Sequence, residues 1–246
     1  MSITDKLIAV TQKDIVKGIR NGIGDCDVYE VIRSGIELDR FMSPKVSREK
    51  IREELSIPGN VPVIGTVTRL SPQKAPLIFV NAMKEIISRF PDCHFVIVGD
   101  GPLRADVIKQ ISDLGISDHA VLTGIRRDIP ELMAAFDIFV LSSLWEGLPR
   151  VIPQAMCSGI PVVASDIDGN AEIIDDCRNG RLVPPGNPDA LAGAVIELLE
   201  NPELAKQIGK AGLISVSEFS AQKMVQHISQ LYCCLSEKKN IVKKDI

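Results

Sequence analysis

From Val61 onward the chain alternates short, continuously apolar runs with longer segments of helical periodicity, and few folds satisfy that alternation. The runs are Pro62–Val67, Phe95–Val98, Ala120–Leu122, Ile138–Leu141 and Val162–Ala164. A strand with one face in water alternates apolar and polar residues, whereas a run apolar throughout is covered on both faces. Between the runs, Leu77, Val80, Lys84 and Ile87 share a helical face beside Met83 and Ile86, and Leu103, Val107, Ile111 and Leu114 recur at helical steps. Strand and helix repeated in this way predict an α/β doubly wound parallel sheet, Rossmann-like, with right-handed crossovers and helices on both faces. Near the end, Asn187-Pro188-Asp189 and Asn201-Pro202-Glu203 each read as an N-cap, a proline at the first helical position and an acid facing the helix dipole. A last helix starting near Ser220 is expected to bury Met224, Val225, Ile228, Leu231 and Leu235.

Residues 1–60 read differently. They hold a strand-like run at Leu7–Thr11, a helical piece around Lys13–Ile19, a second run at Val28–Arg33, a charged segment Pro44–Leu55 and a turn at Pro58-Gly59-Asn60. That is too little apolar material for an independent core. The expected division is residues 1–41 as the end of another domain, 42–60 as linker, 61–218 as the main domain, 219–236 as a closing helix and 237–246 as a basic, solvated tail.

A net charge of -4 gives no reason to expect nucleic acid as partner. No apolar run reaches bilayer-spanning length and the first residues lack a signal-peptide pattern, so a cytoplasmic location is expected. The six cysteines, Cys26, Cys93, Cys157, Cys177, Cys233 and Cys234, contain no C-x-x-C pair. With only His94, His119 and His227 beside them no zinc spacing arises, so reduced thiols and no metal site are expected.

In an open parallel sheet ligands bind at the carboxyl ends of the strands. After the first long strand, Thr68-Arg69-Leu70-Ser71-Pro72-Gln73-Lys74 offers two cations, Arg69 and Lys74, suited to a diphosphate. Two cations in a loop are also what a solvated surface provides. After the second comes Gly99-Asp100-Gly101-Pro102, with Arg104 where a dinucleotide fingerprint has its third glycine. A lone G-x-G is a weak signal, and a tight turn before a proline-led helix is the simpler reading, although Gly99 and Gly101 also let a nucleotide approach the backbone. After the fourth, Ser142-Ser143-Leu144-Trp145-Glu146-Gly147-Leu148-Pro149-Arg150 puts Glu146 at the mouth of the cleft and a flexible Gly147 before a helix. Glu146 can accept hydrogen bonds from sugar hydroxyls, or serve only as a helix-start acid. Gln154, eight residues on, is expected above the same face. The loops Ser165–Glu172 and Gly180–Gly186 read individually as connections.

The collinear order of T-R-L-S-P-Q-K, F-V-I-V-G-D-G-P-L-R, S-S-L-W-E-G-L-P-R-V, A-M-C-S-G-I-P-V-V-A-S-D and N-G-R-L-V-P-P-G-N-P resembles the carboxy-terminal, donor-binding domain of retaining GT-B-fold glycosyltransferases, over about residues 5–235. The resemblance implies that residues 1–41 are the end of the amino-terminal domain, and that Phe219 to Leu235 cross back onto it. It implies that Arg69 and Lys74 bind the donor diphosphate, Glu146 holds the transferred sugar, and amides of Gly147, Leu148, Arg150 and Val151 orient sugar and phosphate. The base is expected near Gly124, Ile125 and Arg126. Where the family carries a second glutamate for the ribose diol this chain has Gln154, which keeps a hydrogen bond but loses the charge-assisted one. The family's histidine has no match here, and the acceptor site and a glycine-rich phosphate loop are expected on the domain this chain lacks.

The implied reaction is transfer of a sugar from a nucleotide diphosphate sugar to an acceptor hydroxyl with retention, in cell-envelope polysaccharide or glycolipid synthesis, with no cofactor and no metal. The partners implied are the nucleotide-sugar donor and either the missing domain or a partner subunit, through which peripheral membrane contact is possible. A non-catalytic, partner-dependent donor-binding subunit is the alternative. A signalling receiver with the same strand pattern fits poorly, because Thr68-Arg69 stand where its acid pair belongs.

Overall fold

The computed structural model describes residues 4–238, so the basic tail expected from residue 237 falls almost wholly outside the described residues. The chain opens with β1 (Leu7–Ala9), α1 (Gln12–Arg20), β2 (Tyr29–Val31), α2 (Leu38–Met42) and α3 (Arg48–Glu54). The main sheet follows as β3 (Val63–Val67), α4 (Pro76–Arg89), β4 (His94–Val98), α5 (Arg104–Asp113), β5 (Ala120–Gly124), α6 (Ile129–Ala134) and β6 (Ile138–Leu141). It continues through α7 (Val151–Cys157), β7 (Val162–Ser165), α8 (Asp168–Ala171) and β8 (Arg181–Val183). The closing helices are α9 (Pro188–Glu200), α10 (Pro202–Ser215) and α11 (Ala221–Lys238).

Strands β3 to β8 form one parallel six-stranded sheet in the order β5-β4-β3-β6-β7-β8, while β1 and β2 pair with each other in a separate parallel ribbon. Each expected apolar run is a strand of this sheet; β3, β4, β6 and β7 are buried almost throughout, as continuous hydrophobicity requires, while the edge strand β5 is only half-buried. The edge strand β8 lies in a segment whose sequence reads as a loop, because three residues between Gly180 and Pro184 are too short to show a period.

Two cores lie on the two faces of the sheet. One gathers Phe79, Val80, Met83 and Ile86 of α4 with Val107, Ile111, Leu191 and Val195, and Phe79 meets Phe95 edge to face at 6.0 Å. The buried stripe of α4 is thus rotated from the expected one: Leu77 and Ile87 are only half-buried and Lys84 is exposed. The other core joins Phe136, Phe139, Leu141, Ile152 and Met156 to Ile36, Phe41, Ile51 and Ile57. The stretch expected as linker is therefore part of the main core.

A buried cation fixes that stretch. Arg52 is almost wholly enclosed; it donates to the carbonyls of Ala135 (3.0 Å), Gly59 (2.9 Å) and Val61 (2.9 Å) and to Asp137 Oδ2 (2.7 Å). Asp137 also accepts from Arg48 at 2.5 Å and from the Val63 N–H at 2.7 Å, tying α3 to the starts of β3 and β6. Nothing in the charged segment Pro44–Leu55 marks one of its cations for burial; the three backbone carbonyls and the Asp137 carboxylate around Arg52 are what permit it.

The ends of helices also differ in detail. Asn187 Oδ1 caps α9 by accepting from the Ala190 N–H at 3.0 Å, as expected. Asn201 instead donates its side-chain amide to the Glu197 carbonyl at 2.8 Å, closing α9 rather than opening α10. In α11, Val225 is exposed and Met224, Ile228, Leu231 and Leu235 are only half-buried, because nothing else in the described chain covers that face.

Asp137→Ala leaves the Arg52 guanidinium enclosed without its counter-charge, and is expected to lower unfolding stability in urea by about 3 kcal/mol; a loss below about 1 kcal/mol would contradict the role given to this node. Burial pushes the Cys93 and Cys157 thiols up to about 12. Their folded values lie above the unfolded one of about 8.5, so the associated stability is complete below that pH and is lost as pH rises through the folded value. Under native conditions near pH 8, alkylation is expected at Cys26, Cys177, Cys233 and Cys234 and not at these two; modification of either buried thiol before unfolding, read by peptide mass, would refute the packing.

Candidate functional site

All six strands of the main sheet run the same way, so their carboxyl ends share one edge. The strand order reverses between β3 and β6, which opens a crevice there. The loops leaving these two strands are stitched together across it. The Ser142 hydroxyl is shared between the carbonyls of Lys74 (3.0 Å) and Ala75 (3.1 Å), the Leu144 N–H donates to the Gln73 carbonyl at 2.8 Å, and the Gln73 amide donates to the Trp145 carbonyl at 2.9 Å. Ala75 takes the left-handed conformation, φ 45°, to turn the chain into α4.

The loops after β3 and β4 continue to pair beyond the strands. The Thr68 N–H donates to the Val98 carbonyl (2.9 Å), Leu70 to Asp100 (3.0 Å) and Leu103 back to Leu70 (2.9 Å). This approach is why Gly99 and Gly101 are glycines: a Cβ would stand 1.9 Å from the Thr68 oxygen in the first case and 2.4 Å from the Leu70 oxygen in the second, and Gly99 has φ +131°. The missing side chains make room for a neighbouring loop. Beside them the β4–β5 register slips between Ile97 and Val98, bringing Val98 opposite Gly124, which turns the chain at φ +69°.

These loops border an open cavity of about 420 Å³ whose lining includes Arg69, Gly99, Ile125, Arg126, Arg150, Val151 and Gln154, all expected from the sequence, together with Val67, Thr68, Val98, Asp100 and Ile129. Arg69 and Arg150 are exposed and have no ion-pair partner among the described residues. Arg126 is committed: it bonds Asp128 at 2.8 and 2.5 Å and Glu54 at 2.6 Å, and these partners hold its pKa above the usual value. Thr68 Oγ1 is buried without a hydrogen-bond partner at the edge of the cavity. The residue directly after a strand is the signal that points to Thr68, and Arg69 beside it draws the eye first.

Glu146 does not stand open at the mouth of the cleft. Its carboxylate is nearly buried, ion-paired with Lys74, and accepts from the Ser143 hydroxyl at 2.7 Å. The stitching of the two loops brings that acid onto the nearest cation. Nor do Glu146 and Gln154 share a helical face, since α7 begins only at Val151; Gln154 lines the 420 Å³ cavity, and the Lys74–Glu146 pair lies outside its lining. Gly147 is exposed and a Cβ there would meet only Val10, at 4.0 Å. The glycine that the packing needs is Gly169, whose Cβ would fall 2.0 Å from the Gly147 carbonyl oxygen. Leu148 packs against the core. Helix α1 sits against this region: Lys17 and Lys13 pair with Asp168 at 2.6 and 3.2 Å and hold its carboxyl below the usual range.

The glycosyl transferases group 1 pattern matches residues 47–238. The chain belongs to this glycosyltransferase family. It is 34% identical over 233 residues to the UDP-Gal:alpha-D-GlcNAc-diphosphoundecaprenol alpha-1,3-galactosyltransferase of Escherichia coli, which covers 93% of this chain and 60% of that protein. It is 32% identical over 201 residues to the GDP-mannose-dependent alpha-(1-6)-phosphatidylinositol monomannoside mannosyltransferase of Mycolicibacterium smegmatis, over 78% of this chain and 52% of that one. Among solved structures, HepE of Anabaena in complex with UDP-glucose superposes with TM-score 0.85 at 29% identity, over 94% of this chain and 64% of that one. The chain thus spans roughly half to two thirds of the length of these glycosyltransferases.

Gly99→Ala sets a Cβ against the Thr68 carbonyl and is expected to cost about 1–3 kcal/mol in denaturant unfolding. Unchanged stability would show that the β3 and β4 loops do not pair this closely.

Proposed function

We propose that this chain is the donor-binding part of a glycosyltransferase that moves a sugar from a nucleotide diphosphate sugar to an acceptor hydroxyl with retention of configuration. The observation that carries the reading is the cavity at the strand-order reversal, where free guanidinium groups of Arg69 and Arg150 face a wall of backbone from three strand ends. The similarity to HepE, solved with UDP-glucose, supports a nucleotide-sugar ligand. In this reading Arg69 contacts the diphosphate, the segment Gly124–Arg126 receives the base through its backbone, and Gln154 meets the ribose.

Glu146 and Lys74 act as a pair. An arriving sugar replaces the Ser143 hydroxyl on Glu146 with its own hydroxyl, while Lys74 divides its three donors between that carboxylate and the diphosphate. During transfer the bond from the anomeric carbon to the diphosphate oxygen breaks and the acceptor oxygen bonds to the same face of that carbon. The acceptor proton passes to the departing phosphate oxygen. Arg69 and Lys74 take up the charge that gathers there, the electrostatic service a metal ion gives elsewhere. Amides from Gly147 to Val151 assist. This fits an enzyme working without cofactor or metal in the cytoplasm; the names of its relatives favour a polysaccharide or glycolipid acceptor.

The acceptor side is assigned to the rest of a two-domain enzyme or to a partner subunit, which the greater length of the relatives supports. The exposed apolar residues Ile8, Val16 and Ile19 on β1 and α1, and Val225 on α11, suit such a neighbour. Among the described residues no helix is long and apolar enough to cross a membrane.

Calorimetry with UDP and uridine tests the assignment. Arg69→Ala and Lys74→Ala are each expected to weaken UDP by about 1.5–3 kcal/mol and to leave uridine unaffected, with little change in thermal stability for Arg69→Ala. Arg69→Lys should recover only part of the loss, because the planar fork is gone. Equal discrimination between UDP and uridine in both alanine variants and the unaltered chain would refute the site.

A further inference from the structure

Behind Gln154 lies a second cavity of about 400 Å³, bordered by the segment Gly35–Phe41 and by the starts of α6, α7 and α11. Ile129, Arg150 and Gln154 line both this cavity and the 420 Å³ one, so the two share a wall. Arg40, Arg127 and Arg150 contribute guanidinium groups to the second cavity, and the carboxylate in its described lining is Glu37, taken by Arg40 at 3.2 Å. Arg127 and Arg150 have no ion-pair partner among the described residues. Of the nearby acids, Asp128 and Glu54 pair with Arg126 and Glu131 accepts from the Lys45 N–H at 3.3 Å, while Asp39 lies in the adjoining cavity that Arg40 and Arg127 also line.

Single exposed arginines are ordinarily solvated and need no partner. Here two uncompensated ones line a single concavity, where their fields add. The residue between the cavities decides the sign. A carboxylate at position 154 would lie one helical turn from Arg150, neutralise it and repel an anion; the Gln154 amide does neither. We propose that this cavity is a phosphoryl-binding subsite contiguous with the nucleotide cleft, taking a phosphate group through Arg127 and Arg150. The subsite stands on its own geometry; only the name of its neighbour as a nucleotide cleft rests on the proposed function.

Inorganic pyrophosphate titrated calorimetrically into the full chain at low salt tests it, with Arg69→Ala included to disable the proposed donor diphosphate position. Pyrophosphate is expected to bind Arg69→Ala and to weaken at least about tenfold in Arg127→Ala and in Gln154→Glu, both with unchanged thermal unfolding. Arg127→Lys should restore part of the binding. Two further arms separate the sources of the phosphate. Pyrophosphate that still binds under saturating UDP is a separate anion; uridine 3′-monophosphate binding tighter than uridine, with the advantage lost in Arg127→Ala, marks a phosphate carried on the ribose. If Arg127→Ala and Gln154→Glu bind both probes as the unaltered chain does, the subsite is overturned. If pyrophosphate is lost only in Arg69→Ala, the donor reading survives and this one fails.

Discussion

The reversal of strand order between β3 and β6 is the constraint on which the rest of the molecule depends. A parallel sheet sends every connection back over one of its faces, and where neighbouring strands send theirs to opposite faces the loops part and leave a crevice. Most of the distinctive chemistry sits there. Ser142, Gln73 and Leu144 hold the parted loops at a fixed separation, and Ala75 in its left-handed turn lets the first of them lead into α4. The crevice is therefore made of backbone before any charged side chain is added to it.

The charges fall into two kinds. Arg52, Arg126 and Lys74 have found carboxylates within the chain, and their work is structural or held in reserve. Arg69, Arg127 and Arg150 have no ion-pair partner among the described residues, and all three border the crevice or the chamber behind it. Surface cations such as Arg20 and Lys84 also lack an ion-pair partner among the described residues; what sets Arg69, Arg127 and Arg150 apart is that they line concave surfaces, where an anion can meet more than one of them. Lys74 and Glu146 occupy a middle position, since the same two groups that neutralise each other can be turned toward a ligand carrying both phosphate and hydroxyls.

The sheet was legible because fully buried parallel strands have no polar alternation to obscure them: Ile138–Leu141 coincides with its strand, and the other long runs agree within two residues at each end. The loops at the strand ends followed from the rule that ligands bind there, whereas Ile125, Arg126 and Val151 were expected at the cavity only through the family resemblance, and Ile129 was not expected. What escaped was set by contacts between distant segments. Nothing local marks Arg52 as buried, since its partners are carbonyls near residues 60 and 135. Eight-residue spacing suggested one face for Glu146 and Gln154, but the helix starts between them and the acid folds back onto Lys74. Gly99 and Gly101 read as a tight turn that also admits a nucleotide; that their missing side chains make room for the neighbouring loop is visible only once Thr68 and Leu70 are placed.

The central claim is positional: a nucleotide diphosphate lies at the carboxyl edge of the sheet, between the loops that follow β3 and β6. A crystal structure of this chain grown with UDP tests it most directly. The account predicts density for the diphosphate against the Arg69 guanidinium, with the ribose toward Gln154 and the base along Gly124–Arg126. Nucleotide density elsewhere, for instance at the opposite edge beside Arg48 and Asp137, with Arg69 left in solvent, would contradict it.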